Sequence, residues 1–448
     1  MSMMDTWKHP GTLVLSLIFV LGIVLAMQVS AQVAHAQSGG DPTPTPFFTT
    51  VDDPALSARM DFVEQATSIL RDLPPKAPVT RAFLTREELL AFLQDRLDEE
   101  YPPEEARDDA IFYHAFDFMP LETDLRQLQL AVMQEQIAGF YDSELEAMFV
   151  ISSAAELNAM NQVLYAHEFT HVLQDQHFDL DALVGDEDAS AENPDAILAK
   201  LALVEGDAML MTEGYQAWML RKSPGMAFDM VVDALMIQSD ELQAAPAILQ
   251  SELLFPYLQG RDFTYTFFAT SGGWEGVNAL YAAPPESTEQ VLHIDRYLSG
   301  DLPVAVTLPD LDGVLGGDWR LVWDRPLGEF YTREHLRQQL EREIADVAAA
   351  GWGGDRYRLY HDDARGLSVL VWKTVWDTTA DAAEFLAAYH NYAARFYDAP
   401  GYPVDERTVC WYGEDVRCLR RGTREALVIR APERVFVDAV LEAAGPVR

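Results

Sequence analysis

The chain has 448 residues, 49% of them hydrophobic, enough for a large core and for more than one folded unit. It carries 72 acidic against 32 basic residues, a formal net charge of -40. A surface of that sign repels phosphate backbones and anionic lipid head groups, so nucleic acid is not an expected partner.

Residues 1–36 read as a secretory signal peptide. Lys8 precedes an uncharged run from Leu13 to Val29, and Ala34, His35 and Ala36 fit a small-x-small cleavage site. The run approaches the roughly 20 residues that span a bilayer, so a membrane anchor through residues 11–29 is the alternative. Both place the body of the protein outside the cytoplasm, secreted or at the cell surface. No cysteine follows the run, which excludes a lipoprotein anchor. Residues 37–54, rich in Gly, Pro and Thr, read as a linker. Residues 55–130 read as a helical lead-in with breaks at Pro74-Pro75 and Pro102-Pro103, and could act as a propeptide. Thr85 to Glu88 opens one of its helices, since acidic residues suit a first turn.

Residues 131–303 form the expected core. A hairpin pairs Ile137–Asp142 with Ala147–Ile151. Ser153 and Glu156 then make an S-x-x-E capping box for a helix reaching His177 or Phe178. After an acidic loop, Asn193 caps a second helix with Pro194 at its first position, running to about Arg221. Residues 225–300 look mainly helical and end in PPESTEQVLHIDRY. Residues 304–448 alternate strands (Arg320–Trp323, Tyr357–Tyr360, Leu367–Trp372, Ala426–Ile429) with helices (Arg333–Ala349, Ala380–Tyr397, Glu433–Ala444). The fold class is therefore α+β. Cys410 and Cys418 flank a five-residue turn between two β-like runs, and a disulfide across that hairpin suits an oxidising compartment.

The chemistry concentrates in YAHEFTHVLQDQHFDL, residues 165–180. His167 and His171, four apart on a helix, present both imidazoles to one ion, and Glu168 stands one step round, where it can take a proton from a zinc-bound water. Two residues compete as third ligand. His177 gives the spacing H-E-x-x-H-x5-H, but an unbroken helix turns it about 240° from His171. Gln174 stands where the metzincin group has its helix-breaking glycine. Glu205 lies on the second helix in an apolar stripe with Leu198, Leu201, Ala208 and Met209, where a carboxylate is costly without a cation. The expected ligands are therefore His167, His171 and Glu205, with a histidine packed at the helix end as the expectation for His177.

A hairpin, an H-E-x-x-H helix and a second helix with a glutamate ligand resemble the gluzincin metallopeptidases, the thermolysin-like clan, over Ile137 to Met219. The phrases GFYDSELEAMFV, AHEFTHVLQDQHFDL, LVEGDA, PPESTEQVLH and GWGGDRY are similar to a set of exported bacterial proteins described as zinc metallopeptidases. This resemblance implies a zincin-like helical core with a small antiparallel sheet, a Zn2+ cofactor and a protein or peptide substrate. One departure stands out. Thermolysin-like enzymes carry an Asp four residues after the glutamate ligand to orient a zinc histidine; here that position is Met209, and Asp207 lies on the opposite face. Asp175, one turn after His171, is the substitute, or else simply an exposed side chain. The clan also supplies a His or Tyr to the oxyanion, for which His293 and Tyr297 are the first candidates and Arg356, Tyr357 and His361 the second. The expected function is an exported zinc metallopeptidase. The alternative is a non-peptidase or inactive zinc-binding protein of the cell surface.

Overall fold

The structure, a computed structural model, describes residues 49–50, 53–136, 139–143, 145–151, 157–185, 192–222 and 240–445. The signal segment and the Ser153/Glu156 box lie outside the described residues. No described helix is long and apolar enough to cross a membrane.

The chain is α+β, built around two sheets. In the first half, β1 (Thr49–Thr50) and α1 (Pro54–Arg71) lead to β2 (Thr80–Leu84), α2 (Arg86–Glu100), α3 (Pro103–Ala115) and α4 (Leu125–Gln136). The hairpin of β3 (Gly139–Asp142) and β4 (Ala147–Ile151) follows, then α5 (Ala159–Phe178), α6 (Pro194–Lys222), α7 (Ala247–Thr270), α8 (Trp274–Ala282) and α9 (Thr288–Leu292). Local chemistry starts these helices. Asp53 accepts from the amides of Ala55 and Leu56 ahead of Pro54, and Thr85 with Glu88 closes a full capping box on α2.

The lead-in is not wholly helical. Between the Pro74-Pro75 break and the Thr85 cap, TRAFL alternates outward and inward side chains and forms β2. This strand lies parallel to β4 and antiparallel to β1, so the first sheet runs β1-β2-β4-β3 and is mixed where an antiparallel one was expected. Phe140 and Phe149, directly opposed across the hairpin, stack at 4.8 Å between ring centroids. α5 opens at Asn158, whose side chain accepts from the Asn161 amide, and ends at Asp179 in the left-handed region (φ 57°).

The second half holds β5 (Arg320–Arg325), α10 (Gly328–Arg337), α11 (Arg342–Ala349), β6 (Trp352–Asp362), β7 (Leu367–Trp376), α12 (Thr379–Phe396), β8 (Tyr402–Pro403), β9 (Thr408–Tyr412), β10 (Val416–Arg421), β11 (Glu425–Ala431) and α13 (Arg434–Ala444). Its seven strands run in the order β5-β6-β7-β11-β10-β9-β8, every pair antiparallel. The single helix expected over Arg333–Ala349 is two, α10 and α11. Of the glycines of GWGGDRY, Gly351 turns the chain just ahead of β6 (φ 76°), and Gly353 and Gly354 lie in the strand, where the register shifts between Trp352 and Gly354. A Cβ on Gly354 would meet the Val304 carbonyl oxygen at 2.4 Å, and the Val304 amide donates to Gly353 at 2.7 Å. Cys410 and Cys418 face each other across β9 and β10 and form the expected disulfide.

Asp117, just beyond α3 and itself left-handed (φ 63°), joins the two halves. It accepts from Arg417 (2.6 Å), Arg430 (2.9 Å) and the Tyr392 hydroxyl (2.5 Å). Arg430 also donates to the His114 and Ala115 carbonyls at the end of α3. The site is dry, and Arg417 lies over the Phe396 ring at 4.7 Å. Burial alone would raise the Asp117 carboxyl, but Arg417 and Arg430 outweigh it and hold the group at about 2. A depressed carboxyl stabilises the fold above its unfolded value of 3.8 and loses that contribution as pH falls through about 2. Asp117→Asn should therefore cost about 3–5 kcal/mol at neutral pH, the usual result of stranding a buried charge. Urea titrations of both proteins between pH 7 and pH 2 should show the gap closing on the acid side.

Candidate metal centre

From Leu201 to Met211 every residue of α6 is buried, so along this stretch the helix has no solvent face. Glu205 and Asp207 are both fully buried on it, about 200° apart round the axis. Arg71 of α1 grips Asp207 with two nitrogens at 2.6 and 2.9 Å, and the Tyr281 hydroxyl adds a third bond at 2.7 Å. Among the described residues, Glu205 has no Arg or Lys partner. It faces α5 instead, with Oε2 at 3.4 Å from His167 Nε2 and 3.6 Å from His171 Nε2.

The two imidazoles stand edge to face, centroids 4.8 Å apart, with their Nε2 atoms separated by 3.2 Å. Their other nitrogens fix the tautomers. Thr212 donates its hydroxyl to the Ala208 carbonyl (2.7 Å), which leaves it to accept from His167 Nδ1 at 3.0 Å. Gln174 donates its amide to the Val204 carbonyl (2.9 Å), which turns its oxygen to accept from His171 Nδ1 at 2.8 Å. Both Nε2 atoms therefore carry lone pairs, and these converge with the Glu205 carboxylate. Burial lowers His167 to about 3 and His171 to about 4, so neither imidazole is protonated at neutral pH. Burial lifts Glu205 to about 7, against the smaller pulls of His171 and the Tyr257 hydroxyl.

These donors fit a metal ion. Ligand atoms of His167, His171 and Glu205 all lie within 4.8 Å of one another, and neither Glu205 oxygen meets a donor in full hydrogen-bond geometry. Three acceptors facing one another in a dry pocket are unfavourable unless a cation joins them. Two histidines and a carboxylate are the donor set of an open, four-coordinate site. Glu168 is buried beside them, both oxygens likewise lacking a full hydrogen bond, and its carboxyl is pushed well up by burial and by the Glu205 charge. The Tyr141 amide of β3 opposes that shift weakly.

A third helix completes the centre. A Cβ on Gly206 would lie 2.1 Å from the Gly260 carbonyl oxygen, and one on Gly260 would lie 1.9 Å from that of Ala202. Backbone thus touches backbone where α6 crosses α7, directly after the ligand Glu205. That approach carries Tyr257 to the site, one turn before Gly260 and next to Pro256 inside the helix. Its buried ring stacks against His167 at 6.3 Å, and its hydroxyl lies near enough to Glu205 to favour the charged carboxylate.

Other expected site residues go elsewhere. His177 ends α5 with Nε2 at 2.8 Å from the Pro74 carbonyl, outside the group. Asp175 does not orient His171; it accepts from the Tyr141 hydroxyl (2.8 Å) and the Leu180 amide. Neither first-choice oxyanion candidate contacts the group, because His293 is bound to Glu329 (2.8 Å) and the Tyr297 hydroxyl to the Ala283 carbonyl (2.6 Å). Arg356 pairs with Asp324, Tyr357 accepts from Arg325 and His361 meets Ser368, all in the second sheet. Spacing could have indicated Gln174, three residues after His171, and Thr212, two turns after Glu205 on the same face. The glycine directly after the ligand was a signal for close helix packing, whereas nothing local marked Tyr257.

Residues 320–441 match the model of a domain of unknown function (DUF8575). That stretch is the seven-stranded sheet with α10 to α13 and contains none of the metal-centre residues. No curated protein matches the chain, and no solved structure matches it.

Thr212→Val keeps the shape but strands the His167 Nδ1 proton, and should weaken metal binding about 10–100-fold in chelator competition. Gly260→Ala should lower stability by about 1–3 kcal/mol in urea titrations and weaken metal binding in the same competition assay, because it wedges α7 away from α6.

Proposed function

We propose that the chain is an exported zinc metallopeptidase with a gluzincin-type centre, in which His167, His171 and Glu205 hold the ion and Glu168 is the general base. The observation that carries this is the convergence of two fixed Nε2 lone pairs and an unpaired carboxylate beside a second buried carboxylate. When bound, the ion would supply a Lewis acid that polarises the scissile carbonyl and makes a water acidic enough to attack near neutral pH.

The chain's own groups do the remainder. Glu168 accepts the proton of the attacking water, then returns it to the departing amine, a part suited to a carboxyl whose proton affinity is raised by burial. Thr212 and Gln174 keep both imidazoles in one tautomer, and Tyr257 steadies Glu205. A non-peptidase zinc-binding protein is the second reading. It is favoured by one feature: His167, Glu168, His171 and Glu205 are all at most 4% exposed, so a polypeptide reaches them only after the surrounding elements part.

Elemental analysis should find one zinc per chain in the parent, Glu168→Gln and His177→Ala proteins, and none in Glu205→Ala. Hydrolysis of labelled casein should fall about 10²–10⁴-fold in Glu168→Gln. Full metal content without casein hydrolysis in the parent would favour the second reading, and absence of metal would end both.

A further inference from the structure

A second concavity lies away from the metal centre, where α2, α3 and the segment leading into α4 meet the hairpin between β6 and β7. Its volume of about 830 Å³ is in the range of a binding site for a drug-sized molecule or a short peptide stretch. Leu97, Ile111, Leu121 and Leu130 make an apolar floor, while Asp95, Asp98, Glu122 and Asp124 stand around it. The two lining guanidiniums are already neutralised: Arg126 by Asp98, and Arg107 by Asp363 at 3.0 Å. Asp124 is held at the start of α4, accepting from the Gln127 amide at 3.0 Å. Asp95 and Glu122 have no ion pair among the described residues, and both are exposed. His361 also lines the cleft, although its side chain is only 3% exposed. Its Nδ1 is bound to Ser368 at 2.9 Å, and its Nε2 lies 4.0 Å from an Asp363 carboxylate oxygen.

From this arrangement we infer that the cleft docks a basic polypeptide segment, one that alternates Lys or Arg with apolar side chains. The carboxylates receive the cationic heads in charge-assisted hydrogen bonds, and the floor takes the apolar side chains. The occupant is a polypeptide because a small cation would leave the floor uncovered and an acidic or neutral chain would leave Asp95 and Glu122 unmatched. This docking site stands apart from the metal reading: no residue of the cleft belongs to the metal centre, so binding and hydrolysis can fail independently.

The test is fluorescence anisotropy with a fluorescein-labelled peptide of alternating lysine and leucine, titrated with the full chain carrying Glu168→Gln so that the probe stays intact. Asp95→Lys with Glu122→Lys in that background should weaken binding at least tenfold. A control pair on other exposed acids, Glu384→Gln with Glu433→Gln, should change it less than twofold. An alternating glutamate–leucine peptide should not bind, and a lysine–serine peptide should bind at least fivefold more weakly than lysine–leucine. Equal losses in the two double variants, equal affinity for the lysine–serine peptide, or no binding of the first probe would each overturn the proposal. Matching thermal unfolding curves would establish that the charge-reversed protein is folded.

Discussion

Buried acceptors that face one another without a proton between them set the terms for the first half of this molecule. His167 Nε2, His171 Nε2 and a Glu205 oxygen face one another within 4.8 Å, neither Glu205 oxygen meets a donor in full hydrogen-bond geometry, and Glu168 is buried alongside. A protein can tolerate that arrangement only with a cation at the meeting point or with protonation of the carboxyls. The helices around it are arranged accordingly. α6 is buried on all sides from Leu201 to Met211, α7 touches it backbone to backbone at Gly206 and Gly260, and Thr212 and Gln174 each use a second hydrogen bond to keep their histidine from turning. Asp207 shows the contrasting solution on the same helix, where a carboxylate of equal burial takes an arginine from α1.

That arginine changes the standing of the N-terminal segment. α1 supplies the cation for Asp207, and β2 is the parallel partner of β4. Trp274 of α8 reinforces the attachment, covering the Arg71 guanidinium at 4.4 Å and donating to the Leu70 carbonyl. Removing the segment would strand a buried charge and bare a strand edge. α1 and β2 are thus packed into the same core as α5 and α6.

What could be read in advance follows the range of the interactions. The H-E-x-x-H pair depends only on the four-residue stacking of a helix, and Glu205 betrayed itself as a charge inside an apolar stripe. Both are local signals. β2 was hidden because five residues between two proline breaks and a cap carry too little periodicity to separate strand from helix. Strands of the second sheet were legible one at a time, while their order was not, since β7 pairs with β11 across half a hundred intervening residues. Tyr257 is settled by the crossing of α6 and α7, and the contacts of His293 and Tyr297 by partners 36 and 14 residues away. A reach of that kind leaves no mark on the local pattern, so the oxyanion candidates were chosen by position in a motif and found bound elsewhere.

The Asp117 joint has a further consequence in time. Its partners Arg417 and Arg430 lie 300 and 313 residues further along the chain. At about 5–20 residues per second of synthesis, the aspartate waits roughly 15–60 s before either partner emerges. Through that interval its charge has to remain hydrated, so the aromatic surface at the end of α3 cannot dock. A chain cut short before β10 gains neither cation, and one cut short before β11 lacks Arg430, so the two halves are tied at Asp117 only once both strands have been made.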